Sequence, residues 1–491
     1  MVHCALKDGS INHKKGTVLG PCPGQQRGRI GIICLHCACN VMTARPAMRS
    51  PAIESLGRGD LDALSEERIR YTVRYAEEHS TFYRHWFASH GVAAREIRTH
   101  EDLLELPIVS GQTIRAHQPP ASTDFGFLSA PLDDIFTIHE TSGTTGVPKA
   151  FFLTWEDWSR YAEKYARIFA GQELGHGDRL VICTSYGMNV GGNTMTVAAH
   201  RLRMTIIPAG KCTFPLRVIT SYRPTAIVGS VFKLLRLADR LEAEGIDPRE
   251  AGLRRLIVGG ESFAEEARTH LAARYDCPVY NTYGSTEGTM CGECVARDGL
   301  HVPEDLVHLD LYDPSLQEFV PDGREGRIVL SHLLPVGERS GMVLLNYDSE
   351  DTTTVVSRET CACGRTHLRI RPPGREADGV AIGEARIDRL EIERGVFSPE
   401  NMVELNGEYE AFLYAEGDRG AVLRIGLECR SPSCDREGIA ERIGRTLLAG
   451  NRPLAAAHAG GEFRVIFSFV PPGSLELHAI KGRPKRLVDR R

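Results

Sequence analysis

The stretch Thr141-Ser142-Gly143-Thr144-Thr145-Gly146-Val147-Pro148-Lys149 places four hydroxyls, two glycines and one lysine in nine consecutive positions. Such a segment suits phosphate. The glycines let successive backbone N–H groups turn inward as an anion nest, the hydroxyls add donors, and Lys149 brings a movable positive charge. It is not a Walker A loop, because no Gly-Lys-Ser/Thr ending opens a helix. A second group lies downstream in Tyr280-Asn281-Thr282-Tyr283-Gly284-Ser285-Thr286-Glu287. Here an aromatic face for a purine, a glycine for close approach, a hydroxyl for phosphate and a carboxylate for Mg²⁺ stand a few residues apart. Taken singly, either stretch also reads as an ordinary polar turn.

Apolar patterning shows what must hold these loops. Ile135-Phe136-Thr137-Ile138 enters the first loop and Ala150-Phe151-Phe152-Leu153 leaves it, so it joins two strands. Trp155 to Phe169 has helical spacing, and Arg179 to Cys183 reads as a short buried strand. A glycine-rich turn, Tyr186 to Gly192, follows, then strand-like runs at Ile206-Ile207, Ala226 to Gly229 and Leu256 to Gly260. This alternation predicts an α/β fold with parallel sheets covered by helices, and ligands at the carboxyl ends of the strands. Upstream, Leu61, Leu64, Ile69, Val73 and Tyr75 mark a helix, with Ser65-Glu66-Glu67-Arg68 reading as its N-terminal cap. Past Gly374 the texture shifts to alternating strand-like runs around one helical segment, Arg436 to Leu448. The expected organisation is a disordered leader (1–48), a large domain (49–374) and a small, mobile α+β domain (375–491).

A chain of 491 residues exceeds one ordinary core. Its 42% hydrophobic and 25% charged residues are those of a globular protein, and a net charge of −5 gives no pull toward nucleic acid or anionic membrane. No apolar run is long enough to span a bilayer. Fourteen cysteines in this length are no disulfide framework and point to a reducing, cytoplasmic setting. Five lie in the leader (Cys4, Cys22, Cys34, Cys37, Cys39), where Cys34-Leu35-His36-Cys37-Ala38-Cys39 has metal-ligand spacing but no second cluster beside it. Cys291, Cys294, Cys361 and Cys363 form two tight groups downstream.

The Thr141–Lys149 stretch resembles the signature loop of the adenylate-forming (ANL) superfamily, which holds the β- and γ-phosphates of ATP while a carboxylate attacks the α-phosphorus. The resemblance implies that Tyr283 stacks on adenine, Thr286 meets the α-phosphate and Glu287 binds Mg²⁺. It makes Gly259-Gly260-Glu261-Ser262 the loop near adenine. Asp351, ending Tyr347-Asp348-Ser349-Glu350-Asp351, becomes the ribose anchor, with Arg375 as its partner. Glu293-Cys294, Asp298-Gly299-Leu300-His301, Glu304-Asp305, Cys361 to Thr366 and Lys485 to Arg491 resemble one branch, the phenylacetate–CoA ligase-like family, from about residue 55 onward.

That branch implies a structural Zn²⁺ held by Cys294, His301, Cys361 and Cys363, with Cys291 as an alternative to His301. It also implies a catalytic lysine after a glycine near the end, where this chain has Gly482-Arg483, with Lys481 as the nearby substitute. An aromatic or arylacetic acid is expected in a slot near Tyr186, Gly187, Gly191, Gly192 and Gly260, although these glycines read equally as backbone turns. His139 either reads a ring substituent or is a strand residue with a satisfied hydrogen bond. The implied activity is ATP-dependent formation of an acyl adenylate and transfer to a thiol, with CoA as acceptor. The alternatives are an amine, hydroxyl or carrier-protein acceptor, ATP-dependent diazotisation, or a non-catalytic nucleotide binder. The resemblance is compatible with a homodimer.

Overall fold

The computed structural model describes residues 48–141, 146–210, 215–375, 378–417, 420–476 and 484–491. All but the last residue of the expected leader fall outside these, as do Ser142, Gly143, Thr144, Thr145, Lys481 and Arg483.

Helix α1 (Arg58–His79) buries Leu61, Ile69, Val73 and Ala76. Gly57 occupies its N-cap position, not Ser65. Ser65 lies well inside the helix, where its buried hydroxyl donates to the Glu304 carbonyl at 3.1 Å. The capping signature misleads because the apolar repeat already begins at Leu61. From the same helix Arg58 meets Glu304 at 2.8 Å, while Arg68 donates to the Asp305 carbonyl. The Glu304-Asp305 pair therefore anchors the N-terminal helix.

Strands β1 (Ile135–Glu140) and β2 (Ala150–Thr154) form an antiparallel hairpin. Helix α2 (Trp155–Gly171) follows without a gap because Thr154 and Asp157 form a reciprocal capping box. Five parallel strands come next in the chain: β3 (Arg179–Ile182), β4 (Thr205–Ile207), β5 (Ala226–Gly229), β6 (Arg255–Gly259) and β7 (Val279–Gly284). The sheet continues through β8 (Met290–Gly292), β9 (Leu300–His301), β10 (Val307–Asp313), β11 (Glu318–Phe319), β12 (Glu325–His332), β13 (Tyr347–Ser357), β14 (Arg369–Ile370) and β15 (Gly374–Arg375). Among the described residues it has 13 strands in the order β11-β10-β12-β13-β14-β9-β8-β7-β6-β5-β3-β4, with β15 beside β13.

The parallel half is the one the strand–helix alternation predicts. From β7 to β11 the neighbours are antiparallel, since residues 290–375 offer no crossover helices. The boundary read at 374/375 falls inside β15, whose two residues pair with Thr352 and Asp351.

Beyond it, β16 (Gly379–Ile382) and β17 (Ala385–Asp388) make a hairpin leading to helix α3 (Arg389–Val396). β18 (Leu405–Glu416), β19 (Gly420–Cys429), β20 (Phe463–Val470) and β21 (Val488–Asp489) form a four-stranded sheet in the order β20-β19-β18-β21. One apolar core runs from Val181, Ile227 and Val258 under the parallel strands to Leu413, Leu423 and Ile425 of this smaller sheet. Arg486 plugs the join, buried over the Phe232 ring and paired with Glu408 at 3.2 Å. Among the described residues no helix is long and apolar enough to cross a membrane.

Candidate active site

β7 ends at Gly284, and the chain turns back through Ser285 to Thr289. The Gly288 N–H donates to the Ser285 carbonyl at 3.2 Å, and the Ser285 N–H donates to the Thr289 carbonyl at 2.9 Å. A Cβ at position 284 would stand 2.5 Å from the Tyr165 hydroxyl, so only glycine fits against α2. Thr286 and Glu287 sit buried on this turn.

Lys149, at the end of the phosphate-type loop, points at the same spot. Its Nζ lies 2.7 Å from Glu287 Oε1, although the two residues are 138 positions apart. Tyr347, the first residue of β13, completes a triangle: its hydroxyl accepts from Lys149 and donates to Glu287 Oε1 at 3.3 Å. All three are buried. Burial works against the Glu287 carboxylate, yet Lys149 holds its pKa below the ordinary glutamate value. Burial, reinforced by Glu287, pushes the Tyr347 phenol well up and keeps it a donor.

Asp351 stands four residues along β13. Its Oδ2 accepts from the Tyr283 hydroxyl at 2.6 Å and its Oδ1 from Arg375 Nε at 2.8 Å. Burial raises its pKa, with Arg375 opposing. The pair fixes the Tyr283 ring beside a carboxylate, an arrangement suited to a nucleoside's base and hydroxyls. Gly260, left-handed at φ 79°, turns the chain out of β6. The loop after it is gripped from the C-terminal side: Arg389 donates to the Ser262 carbonyl at 2.7 Å, and the Ala264 N–H donates to Glu393 at 3.1 Å.

The residues expected to line an aromatic slot divide. His139 has its Nδ1 on the Met188 carbonyl at 2.9 Å and its Nε2 on Thr137 Oγ1 at 3.2 Å, with its ring stacked on Trp158. No ring nitrogen is left for a substituent, so the strand reading of His139 is the one the geometry gives. Gly192 answers to its own backbone, since a Cβ there would lie 2.6 Å from the Ser185 carbonyl oxygen. Gly187 sits in a turn, its N–H donating to Ser185 Oγ at 3.1 Å, and Gly191 donates to Asn189 Oδ1 at 3.2 Å. Tyr186 is half-buried, its hydroxyl 2.9 Å from Thr196 Oγ1.

Cys294, His301, Cys361 and Cys363 bring one potential ligand atom each within 4.8 Å of one another. Tetrahedral Zn–S bonds of about 2.3 Å place sulfurs about 3.8 Å apart, and Cys294 Sγ lies 3.7 Å from Cys361 Sγ. Cys363 Sγ is 3.6 Å from His301 Nε2. Cys291 is not in this group; it is buried beside Lys164, and burial raises its pKa to about 12. Arg365 ties the cluster to the short helix Pro51–Glu54 through an ion pair of 2.5 Å with Glu54.

Tyr347 was not singled out in the sequence, where its segment draws attention for the terminal aspartate. Its signal was the start of a buried strand. The catalytic expectations at Lys481 and Arg483, like Ser142 to Thr145, lie outside the described residues.

Residues 60–333, the span holding the hairpin, the parallel strands and the Glu287 turn, match the family model described as AMP-binding enzyme. The chain belongs to the AMP-binding enzyme family. Among its relatives is a phenylacetate–coenzyme A ligase of Thermus thermophilus, 31% identical over 353 residues, 70% of this chain and 77% of that one. Another, from Pseudomonas putida, is 27% identical over 391 residues, covering 77% and 85%. This AMP-binding enzyme is thus a member of the phenylacetate–CoA ligase-like branch, an acid–thiol ligase that activates its acid as an acyl adenylate at the expense of ATP. Its fold overlays on a 2-hydroxyisobutyryl-CoA ligase in the postadenylation state with a TM-score of 0.75, at 24% identity over 90% of this chain and 92% of that one. Against the same ligase in its thioesterification state the TM-score is 0.61, at 24% identity over 89% and 91%.

Proposed function

We propose that this enzyme activates an aryl or arylacetic acid and passes the acyl group to CoA in the cytoplasm. The carrying observation is the buried Lys149–Glu287–Tyr347 triangle beside Asp351 and Tyr283. Relatives named as ligases of phenylacetate and of 2-succinylbenzoate support an aromatic acid. Among the described residues the cysteines form no disulfide and most are buried, which supports a reducing compartment.

In the proposed reaction a carboxylate oxygen of the acid attacks the α-phosphorus of ATP, pyrophosphate leaves, and an acyl adenylate forms. The CoA sulfur then attacks the acyl carbon, and AMP leaves. Lys149 supplies positive charge toward the departing phosphates, Thr286 a hydroxyl toward the α-phosphate, and Asp351 acceptors for the ribose. The hard carboxylate oxygens of Glu287, with the buried, unpartnered hydroxyls of Ser285 and Thr289 nearby, are the donor chemistry of Mg²⁺. That ion would offset charge on pyrophosphate. The Cys294–His301–Cys361–Cys363 set suits Zn²⁺, and four protein ligands leave no open position, so its role would be structural.

Pyrophosphate release with a panel of benzoates and arylacetates tests the reading. Turnover is expected with at least one aromatic acid, and acyl-CoA by mass spectrometry once CoA is added. Silence across the panel with ATP still bound overturns the substrate class; acyl adenylate without acyl-CoA overturns the acceptor.

A further inference from the structure

We infer that Tyr161, Lys164 and His332 form a buried clamp that positions Glu287 by holding three consecutive backbone carbonyls of its turn. The Tyr161 hydroxyl donates to the Thr286 carbonyl at 3.2 Å. His332 Nε2 lies 2.7 Å from the Glu287 carbonyl. Lys164 Nζ donates to the Gly288 carbonyl at 2.7 Å. Turn carbonyls ordinarily face water; these three are met by side chains that are themselves buried.

The donor roles are set by the surroundings. His332 Nδ1 accepts from the Leu344 N–H at 3.4 Å, which leaves the proton on Nε2, facing the Glu287 carbonyl. Tyr161 and Lys164 stand one turn apart on α2 and face the same loop. Burial, with Arg160 adding to it, brings the Lys164 pKa down to about 7. A methionine would pack in that place without the desolvation, so the lysine answers to the carbonyl. Gly288 completes the fit: at φ 95° a Cβ there would meet the Tyr161 hydroxyl at 2.6 Å.

With the carbonyls on both sides of its Cα and the next one along pinned, the Glu287 backbone is held, and its side chain reaches Lys149 from a fixed Cα. These are positioning residues: none of the three touches the reacting atoms. The inference rests on the adenylating reading, through Glu287 as the Mg²⁺ ligand. Its test is calorimetric titration of the whole chain with ATP, once with Mg²⁺ and once with EDTA, for wild type, Lys164→Met and Tyr161→Phe. Losing one buried donor to a carbonyl of this turn is expected to weaken Mg²⁺-dependent ATP binding about tenfold, with the EDTA value changed less than about twofold. A folded Lys164→Met protein that keeps the wild-type gain from Mg²⁺ overturns the clamp. If that variant does not fold, the same result in Tyr161→Phe overturns it. Wild-type protein that binds no ATP in either buffer overturns the adenylating reading itself, and the clamp with it.

Discussion

Replacing Lys149 with methionine leaves the Glu287 carboxylate buried without the cation that faces it at 2.7 Å. Removing one partner of a buried ion pair costs about 3–5 kcal/mol, because the other charge stays desolvated. The pH dependence carries the sign. In the wild type the folded pKa of Glu287 lies below that of an unfolded glutamate. Its stabilisation is therefore complete above the unfolded value, about 4.3, and is lost only as pH falls through the folded value. In Lys149→Met, burial acts without Lys149 and lifts the folded pKa above the unfolded one. The variant then loses stability as pH rises from about 4.3 through its raised pKa, and recovers it on acidification. Equilibrium urea denaturation at pH 8, 6.5 and 5 should show the gap from wild type shrinking as pH falls. A gap that is the same at all three pH values refutes the reasoning.

Gly284→Ala pushes a methyl against the Tyr165 hydroxyl and should cost about 1–3 kcal/mol by denaturant titration; adding Tyr165→Phe should return part of it, and no recovery would place the strain elsewhere. Asp351→Asn leaves Tyr283 and Arg375 without their charged acceptor and should raise the apparent KM for ATP about tenfold, with an unchanged KM removing Asp351 from the ribose site. Cys361→Ser should abolish zinc retained through gel filtration, measured by elemental analysis, while unchanged content would strike Cys361 from the ligand set.

The sequence carried the parallel half of the sheet because each strand there is a short apolar run followed by a helix, and that pattern is local. The antiparallel half is built from pairings across long separations, such as β9 with β14, which leave no local trace. Ser65 shows how a cap signature deceives when a buried helix needs a hydroxyl for a neighbouring carbonyl. Motif residues were legible wherever the contact lies in the side chain, as for Lys149 facing Glu287, Asp351 facing Tyr283, and the Cys294–His301–Cys361–Cys363 cluster. Tyr161, Lys164 and His332 were not, since each acts on backbone, and a buried lysine in a helix looks like any other lysine in a string of letters. Gly192 went the other way: it attracts a substrate reading, while its neighbour is the Ser185 carbonyl.

The central claim is attack of an aromatic carboxylate on the α-phosphorus. Turnover of phenylacetate labelled with ¹⁸O in both carboxyl oxygens, in the presence of ATP and CoA, tests it at the level of the bond formed. The account predicts AMP carrying one ¹⁸O and a thioester retaining the other. Label found in orthophosphate, with ADP as the nucleotide product, would contradict it.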